Sequence, residues 1–275
     1  MRPFVSIITV SLNAAPTIED TIASVAMQRA NVAIEHICVD GGSTDATRAI
    51  IDRWAERSAG IRRLYGPDRG IFDAMNSGLA AALGEYVLFL NADDFLVGAA
   101  TIATALRGTS PGAADNPGVL AGDASMGVIG RRGFWRHRRV PRLLGRLRGC
   151  GFYPVHQGQF TQRGLLEAVG GFDASQRLAA DVNQYYDMER RFRPATRLIR
   201  ADVAFMRAGG AANTGWQAIY AGSAEIFRHL APTHGRCRAA AMVAVKTLQS
   251  LSEVRYGRCP HQRWFDRAVA DSAHR

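Results

Sequence analysis

Lysine is almost missing from this chain: of 34 lysine and arginine residues, only Lys246 is a lysine. We read that as composition and attach no function to it. No apolar run approaches the roughly 20 residues that span a bilayer. Runs such as 87–90 and 239–245 stop after a few residues. The first residues, Met-Arg-Pro-Phe-Val-Ser-Ile-Ile, lead straight into a strand-like segment. They lack a long apolar core and a small-residue cleavage site, so no secretory signal is expected. The four cysteines, Cys38, Cys150, Cys237 and Cys259, are scattered without a CxxC pair. That excludes the usual zinc spacings and fits a reduced, cytoplasmic setting, with Cys38 a buried thiol in an apolar strand. The GxGxxG loop of dinucleotide-binding enzymes is also absent after the first strand.

Hydrophobic residues make up 47% of the 275, enough for the core of one large α/β domain or two small ones that share a core. The net charge of +10 is unevenly placed. Residues 131–148 hold eight arginines and no acid, and residues 234–275 hold eight Lys/Arg against three acids, so the rest of the chain is slightly acidic. Two basic patches on such a body point to a polyanionic surface or a phosphorylated partner. In 131–148 the arginines are interleaved with Phe134, Trp135, Leu143, Leu144 and Leu147. Basic plus apolar residues is the composition of a segment lying on an anionic membrane, and the rival reading is a solvated face.

Residues 4–10 form a continuous apolar, β-branched run, as in a strand buried on both faces. Pro16-Thr17 opens a helix that Thr17 can cap. Residues 34–39 read as a second strand ending at Asp40, and Gly41-Gly42-Ser43 as a turn. Residues 44–59 read as a helix, 61–65 as a third strand, 71–83 as a helix closed by Gly84, and 86–90 as a fourth strand running into Asn91-Ala92-Asp93-Asp94. This alternation predicts an α/β fold with a mostly parallel sheet and helices on both faces. Such sheets bind ligands beyond the carboxyl ends of their strands. There stand Thr9, Ser11 and Asn13, then Asp40, then Asn91 and Asp93.

The second half is less regular. Strands are expected near 119–121 and 197–206, a β excursion at 127–135, helices at 163–169 and 181–192, and a basic helical region beyond Trp216. Gly170-Gly171-Phe172-Asp173 and Gly209-Gly210 read as loops.

Asn91-Ala92-Asp93-Asp94 carries the sharpest chemistry. A carboxylate held rigidly at a strand end suits a hard cation beside substrate phosphates. Taken alone, such a pair is more often a polar turn; its weight comes from Asp40 at the equivalent place on another strand.

Residues 4–13, 39–47, 67–78 and 89–94 together resemble glycosyltransferase family 2, the inverting enzymes of GT-A fold, here of the non-processive bacterial polysaccharide and glycolipid type. The likeness is close over the first 95 residues. It continues loosely through His156-Gln157, Gly170-Gly171-Phe172-Asp173 and Ala180-Asp181. The Gln-x-x-Arg-Trp motif of processive synthases is absent from the expected region; Gln262-Arg263-Trp264 has the wrong spacing and place. The resemblance implies a nucleotide-sugar-binding half over 1–95, an acceptor and catalytic half over 96–215, and a basic C-terminal segment over 216–275. It implies that Thr9 and Asp40, with Ser11 and Asn13, hold the nucleotide, and that Asp68 and Asp73 lie near the donor sugar and diphosphate. Asn91-Ala92-Asp93 would form the Asp-x-Asp site, with Asn91 in place of the first carboxylate and Asp93 as the metal ligand for Mn²⁺ or Mg²⁺. Asp181 matches the catalytic base, although Asp can equally cap a helix, and Asp173 is the alternative. His156 and Gln157 match an acceptor site, although a lone histidine is commonly structural. The implied partners are a nucleotide-diphosphate sugar, a saccharide or lipid-linked acceptor and an anionic membrane surface, without nucleic acid; the implied place is the inner face of the cell membrane. A nucleotidyltransferase and a non-catalytic binding protein on the same scaffold are the alternatives. The first wants a glycine-rich basic loop after the first strand, which Ser11-Leu12-Asn13-Ala14-Ala15 does not supply. The second wants a nucleic-acid motif, which is absent.

Overall fold

The first strand, β1 (Val5–Ser11), is buried along its whole length. It lies between two parallel partners, β2 (Ile34–Asp40) and β4 (Tyr86–Phe89), and β3 (Ile61–Tyr65) continues the parallel sheet beyond β2. This is a computed structural model, and it describes residues 2–28, 30, 32–128, 133–140, 150–208, 216–252 and 254–257.

Alternation along the strands sends successive side chains to opposite faces. Ile37 and Val39 of β2 pack with Phe72, Met75 and Leu79 of α3 (Ile71–Ala81). Cys38 packs on the other side with Ile18 and Ile22 of α1 (Ile18–Ala26) and Ile51 of α2 (Thr47–Arg57). Helices therefore cover both faces, and all four parallel strands end on one edge. Two helix starts differ from the sequence expectation. Thr17 stands at the α1 N-cap without capping; its hydroxyl donates back to the Ala14 carbonyl at 3.3 Å. α2 begins at Thr47 because Thr44 and Asp45 belong to the loop: Asn13 Oδ1 accepts from Thr44 N, and Asp45 Oδ1 accepts from Thr47 N.

The second half extends the same sheet with β5 (Phe95–Leu96), β6 (Val119–Gly127), β7 (Gly133–Arg138), β8 (Gln159–Gln162), β9 (Thr196–Arg207) and β10 (Val254–Gly257). The order is β10-β7-β6-β8-β4-β1-β2-β3, with β9 beside β5 and β6. β8 runs antiparallel to both β4 and β6, and so splices the two halves. Apolar residues of both, among them Ile7, Leu88, Leu120, Phe160 and Val203, share one core. The remaining helices are α4 (Thr101–Ala105), α5 (Arg163–Val169), α6 (Ala180–Phe192), α7 (Trp216–His234) and α8 (Arg236–Ser252). β10, paired with β7, was not expected in the C-terminal region. Much of the arginine-rich stretch, Gly209-Gly210 and the tail from residue 258, Gln262-Arg263-Trp264 included, lie outside the described residues.

Between Val155 and β8 a single turn, His156–Gly158, is docked directly on β6. A Cβ on Gly158 would stand 2.5 Å from the Gly122 carbonyl oxygen, so only glycine permits this approach. Gly158→Ala is expected to lower stability by about 1–3 kcal/mol through overpacking against backbone that cannot rotate away. A fall in the thermal unfolding midpoint checks this; an unchanged midpoint shows that the turn is loosely held.

Candidate functional site

The loops that follow β1 and β2 are tied to each other. Asn13, with φ of 51°, donates its N–H to Ser43 Oγ at 2.7 Å and accepts from Thr44 N at 2.9 Å. A short polar side chain that bonds locally tolerates this left-handed conformation. Asp40 is buried and accepts hydrogen bonds from Ser11 Oγ, the Gly42 and Ser43 amides, Ser43 Oγ and Arg48 Nε, the last at 2.6 Å. Burial alone would raise its pKa; the Ser43, Arg48 and amide donors outweigh that and hold it below the ordinary value. Here Asp40 organises the loop with both oxygens engaged. Thr9 does not reach the ligand edge at all: it is fully buried, and its hydroxyl pairs with His36 Nε2 at 2.9 Å. Asp68 accepts from Gly70 N and lies against Gly41, where a Cβ would collide with its carboxylate. Asp73 pairs with Arg69 at 2.8 Å in the first turn of α3.

At the end of β4 the chain turns through Asn91-Ala92-Asp93-Asp94. The turn is pinned from α1, where Thr21 Oγ1 donates to the Asp94 carbonyl at 2.6 Å. Ala92 faces inward to the α1–α2 core, so its side chain offers a ligand nothing. Asp94 is buried and accepts from Gln157 Nε2 at 2.9 Å. Burial, and then the neighbouring Asp93 charge, push Asp94 well above the usual carboxylate range, and burial raises Asp93 as well. Two carboxylates crowded in a half-dry place repel each other, and the Arg207 charge offsets this only in part. Asn91 Oδ1 is buried and without a hydrogen-bond partner. An orphaned amide oxygen beside a strained carboxylate pair is an all-oxygen donor set of the kind Mg²⁺ and Mn²⁺ take, so Asn91 and Asp93 fit such an ion.

Opposite stands Asp181, in the first turn of α6. His156 Nδ1 lies 3.0 Å from Asp181 Oδ2, and His156 Nε2 is buried without a partner. Burial raises the Asp181 pKa, but the His156 hydrogen bond and charge, the Val182 amide and Lys246 outweigh it, and the net direction is down. Asp181 is not the helix cap. The amides of Arg177, Leu178 and Ala179 instead donate to Glu225 of α7, at 2.9 to 3.2 Å. Asp173 bonds Ser175 and Gln176 in an exposed turn, as the Gly-Gly-Phe-Asp reading expects. That turn is clasped to α3 by Asn76, which bonds both the N–H and the carbonyl of Phe172 at 2.8 Å.

One cavity, of about 160 Å³, is lined by Asn91, Asp93, Asp94, His156, Gln157 and Asp181. Residues some ninety positions apart in sequence thus meet across a single space. Thr9, Ser11, Asn13, Asp40, Asp68 and Asp73 do not line it: Thr9 is buried within β1, Ser11 and Asp40 end β1 and β2, Asn13 and Asp68 lie in loops, and Asp73 is in the first turn of α3. Two arginines that the sequence reading did not single out do line it. Arg177 precedes α6, and Arg207 ends β9, paired with Asp20 and stacked over Phe95 at 5.8 Å. No local motif marks either one.

Among the described residues one further group, Asp123, His137 and Asp202, holds potential metal-ligand atoms within 4.8 Å of one another. His137 lies between Arg136 and Arg138 on β7 and faces the other way, so this group sits on the opposite side of the sheet from Asp181. Arg139 Nε donates to His137 Nδ1, which leaves the proton on Nε2 for Asp202 at 2.7 Å.

Residues 6–98 match the sequence model of glycosyl transferase family 2. An uncharacterized glycosyltransferase of Mycobacterium tuberculosis is 34% identical over 180 residues, covering 65% of this chain and 66% of that protein. A PGL/p-HBAD biosynthesis glycosyltransferase of Mycobacterium bovis is 33% identical over 218 residues, covering 77% of this chain and 80% of the relative. Among solved structures, a mannosyltransferase of Pyrobaculum calidifontis, in complex with GDP-Man and Mn²⁺, superposes with a TM-score of 0.61 at 20% identity, over all of this chain and 76% of that one. S. aureus TarS residues 1–349, in complex with UDP-GlcNAc, superposes with a TM-score of 0.59 at 18% identity, over 92% of this chain and 73% of that one. These structures show the GT-A fold. With a relative one-third identical over four-fifths of its length, and the family's motifs gathered at the carboxyl ends of a GT-A sheet, this chain belongs to glycosyltransferase family 2 and is a glycosyltransferase.

Proposed function

We propose that this enzyme moves a sugar, with inversion, from a nucleotide-diphosphate donor to a hydroxyl of a saccharide or lipid-linked acceptor in cell-surface polysaccharide or glycolipid assembly. The observation that carries this is the shared cavity, with Asn91 and Asp93 on one wall and Asp181 on the other. Solved relatives of the same fold are complexed with GDP-Man and with UDP-GlcNAc, which supports a nucleotide sugar as donor. Asn91 and Asp93 would hold a divalent cation that, when bound, offsets the charge of the departing diphosphate. Asp181 accepts the proton of the acceptor hydroxyl as that oxygen attacks the anomeric carbon, and His156 holds the carboxylate in place and ionised. A thermal-shift screen of nucleotide-diphosphate sugars with and without Mn²⁺ tests the donor, and release of free nucleoside diphosphate tests the reaction. Release of pyrophosphate instead would mean nucleotidyl transfer and sink the proposal.

The direction of the Asp181 shift sets a pH expectation. A base held below its ordinary value of 3.8 stays ionised throughout the neutral range, so it puts no acid limb on turnover between pH 5 and 8. The contribution to stability has the same sign: it is present above the unfolded-state pKa and is lost as pH falls through the folded one. In His156→Ala the supporting donor is gone, and the acid limb of kcat should move upward. A profile that does not move shows that His156 leaves the base untouched.

We further propose peripheral attachment to an anionic membrane face. No helix among the described residues is long and apolar enough to cross a bilayer. Each basic residue near such a surface contributes about 1 kcal/mol, and salt screens it. Co-sedimentation with anionic vesicles is expected to fall as ionic strength rises, and to fall in a variant with Arg131, Arg132, Arg142 and Arg146 changed to Ser. Equal binding to neutral vesicles would reduce the arginine-rich stretch to solvated surface.

A further inference from the structure

Next to the His156–Asp181 pair lies a smaller cavity, of about 10 Å³, lined by His156, Asp181 and Gln184 together with Gln159 and Thr161 of β8. Space of that order takes the centre of one water molecule. The rest of the lining is apolar, Phe89 and Phe172 among it. Two of the polar residues carry a buried nitrogen that has no hydrogen-bond partner among the described residues: His156 Nε2 and Gln184 Nε2. Gln184 is only 9% exposed, and it stands three residues after Asp181 on α6, so the two side chains share one face of that helix. A buried polar nitrogen left unmet is costly, and such groups are met by protein atoms or by ordered water.

The two nitrogens are complementary through one water and not directly. The Gln184 amide nitrogen can only donate. His156 Nδ1 lies 3.0 Å from Asp181 Oδ2, and an ionised carboxylate can only accept, so Nδ1 carries the proton. In the neutral ring that leaves Nε2 as a bare acceptor. Gln159 Nε2 donates to Thr161 Oγ1 at 2.7 Å, so the Thr161 hydroxyl keeps its own proton to give. A water here can accept from Gln184 and Thr161 and donate to His156 Nε2, which is about the three bonds that a buried water makes. We propose that one water in this cavity joins Gln184 to His156 and keeps the histidine proton on Nδ1, against Asp181. Gln184 is then a positioning residue, acting on the base through the water and His156. Its effect on turnover rests on the reading of Asp181 as the base; the place of the His156 proton does not.

The test reads the proton and the turnover separately. Nitrogen-15 spectra of the imidazole rings are recorded on the full chain, with the His156 signals assigned by their loss in His156→Gln. In the neutral ring of the native protein, Nδ1 is expected to be protonated and Nε2 bare. Gln184→Met keeps the bulk of the side chain and removes the amide, so the two tautomers should mix. Its kcat should fall about ten-fold, less than the full loss of a general base, with KM for the donor unchanged. Gln184→Glu is nearly isosteric and presents a carboxylate that can only accept, so the water should turn round and Nε2 should gain a proton. A side chain that merely fills space would leave the proton where it is in both variants, and Gln184→Glu keeps the test open should Gln184→Met fold poorly. A native ring protonated on Nε2 alone, or a native tautomer with native kcat in both variants, would overturn the bridge. A relocated proton with unchanged kcat, while Asp181→Asn is inactive, would overturn the positioning role. A relocated proton beside native turnover by Asp181→Asn would instead remove Asp181 as the base and leave the bridge standing.

Discussion

Asp181→Asn is expected to turn over about 10²–10⁴-fold more slowly than the native enzyme while binding nucleoside diphosphate equally well. The amide preserves the shape of the side chain and can still sit beside His156, but it cannot take a proton. The amides just ahead of α6 go to Glu225 of α7, and the Val182 amide that bonds Asp181 can still be accepted by the amide oxygen of Asn. A loss of turnover therefore reports chemistry and not unfolding, and an unchanged thermal midpoint confirms that. Asp173→Asn is the internal control, since Asp173 is spent on its own turn. Near-native turnover by Asp181→Asn, with Asp173→Asn inactive, would mean that the wrong carboxylate has been chosen.

Asp93→Ala should abolish transfer and also remove the extra thermal stabilisation that nucleoside diphosphate provides with Mn²⁺ over that without it. Its effect on the empty protein should have the opposite sign. The Asp93 pKa is raised by burial, so at neutral pH its ionised form costs stability, and its charge also works against Asp94. Removing it relieves both, and the midpoint without ligand should stay level or rise. A variant that unfolds early would show Asp93 to be structural, and full activity in excess EDTA would remove the cation from the assignment. Functional sites commonly hold charge at a cost to the fold, and this pair does so on a turn that Thr21 and Gln157 clamp from two other elements.

The individual roles differ in how they could be read. Asp93 could be singled out from a local pattern, a carboxylate at a strand end, whereas Asp181 is marked only by the family resemblance, its local pattern being that of a helix cap. Arg177, Arg207, Glu225 and Lys246 stand in none. Arg207 is an arginine at the end of a strand like many others; it acquires a place only because β9 pairs with β5 and brings it over Phe95. Lys246 belongs to a helix whose sequence reads as basic surface, and one turn of that helix closes a cavity. Thr9 fails in the other direction. Its position at a strand end suggests ligand contact, but the hydroxyl points to the layer beneath and is used by His36.

Period and punctuation determined the first half. Apolar β-branched runs that alternate with amphipathic segments, separated by Gly and Asp turns, leave a parallel sheet as the arrangement that buries them, and polar residues at the strand ends then fall on one edge. Those are local statements, and local sequence can make them. The tertiary structure alone decided that His156 and Asp181 share a cavity with Asn91 and Asp93, that Glu225 receives the amides just ahead of the helix bearing Asp181, and that the C-terminal helices close a cavity beside His156. The reason is physical: each depends on long-range pairing, β8 between β4 and β6 and β9 between β5 and β6, and such pairing is set by the packing of the whole core, not by any stretch of residues within it.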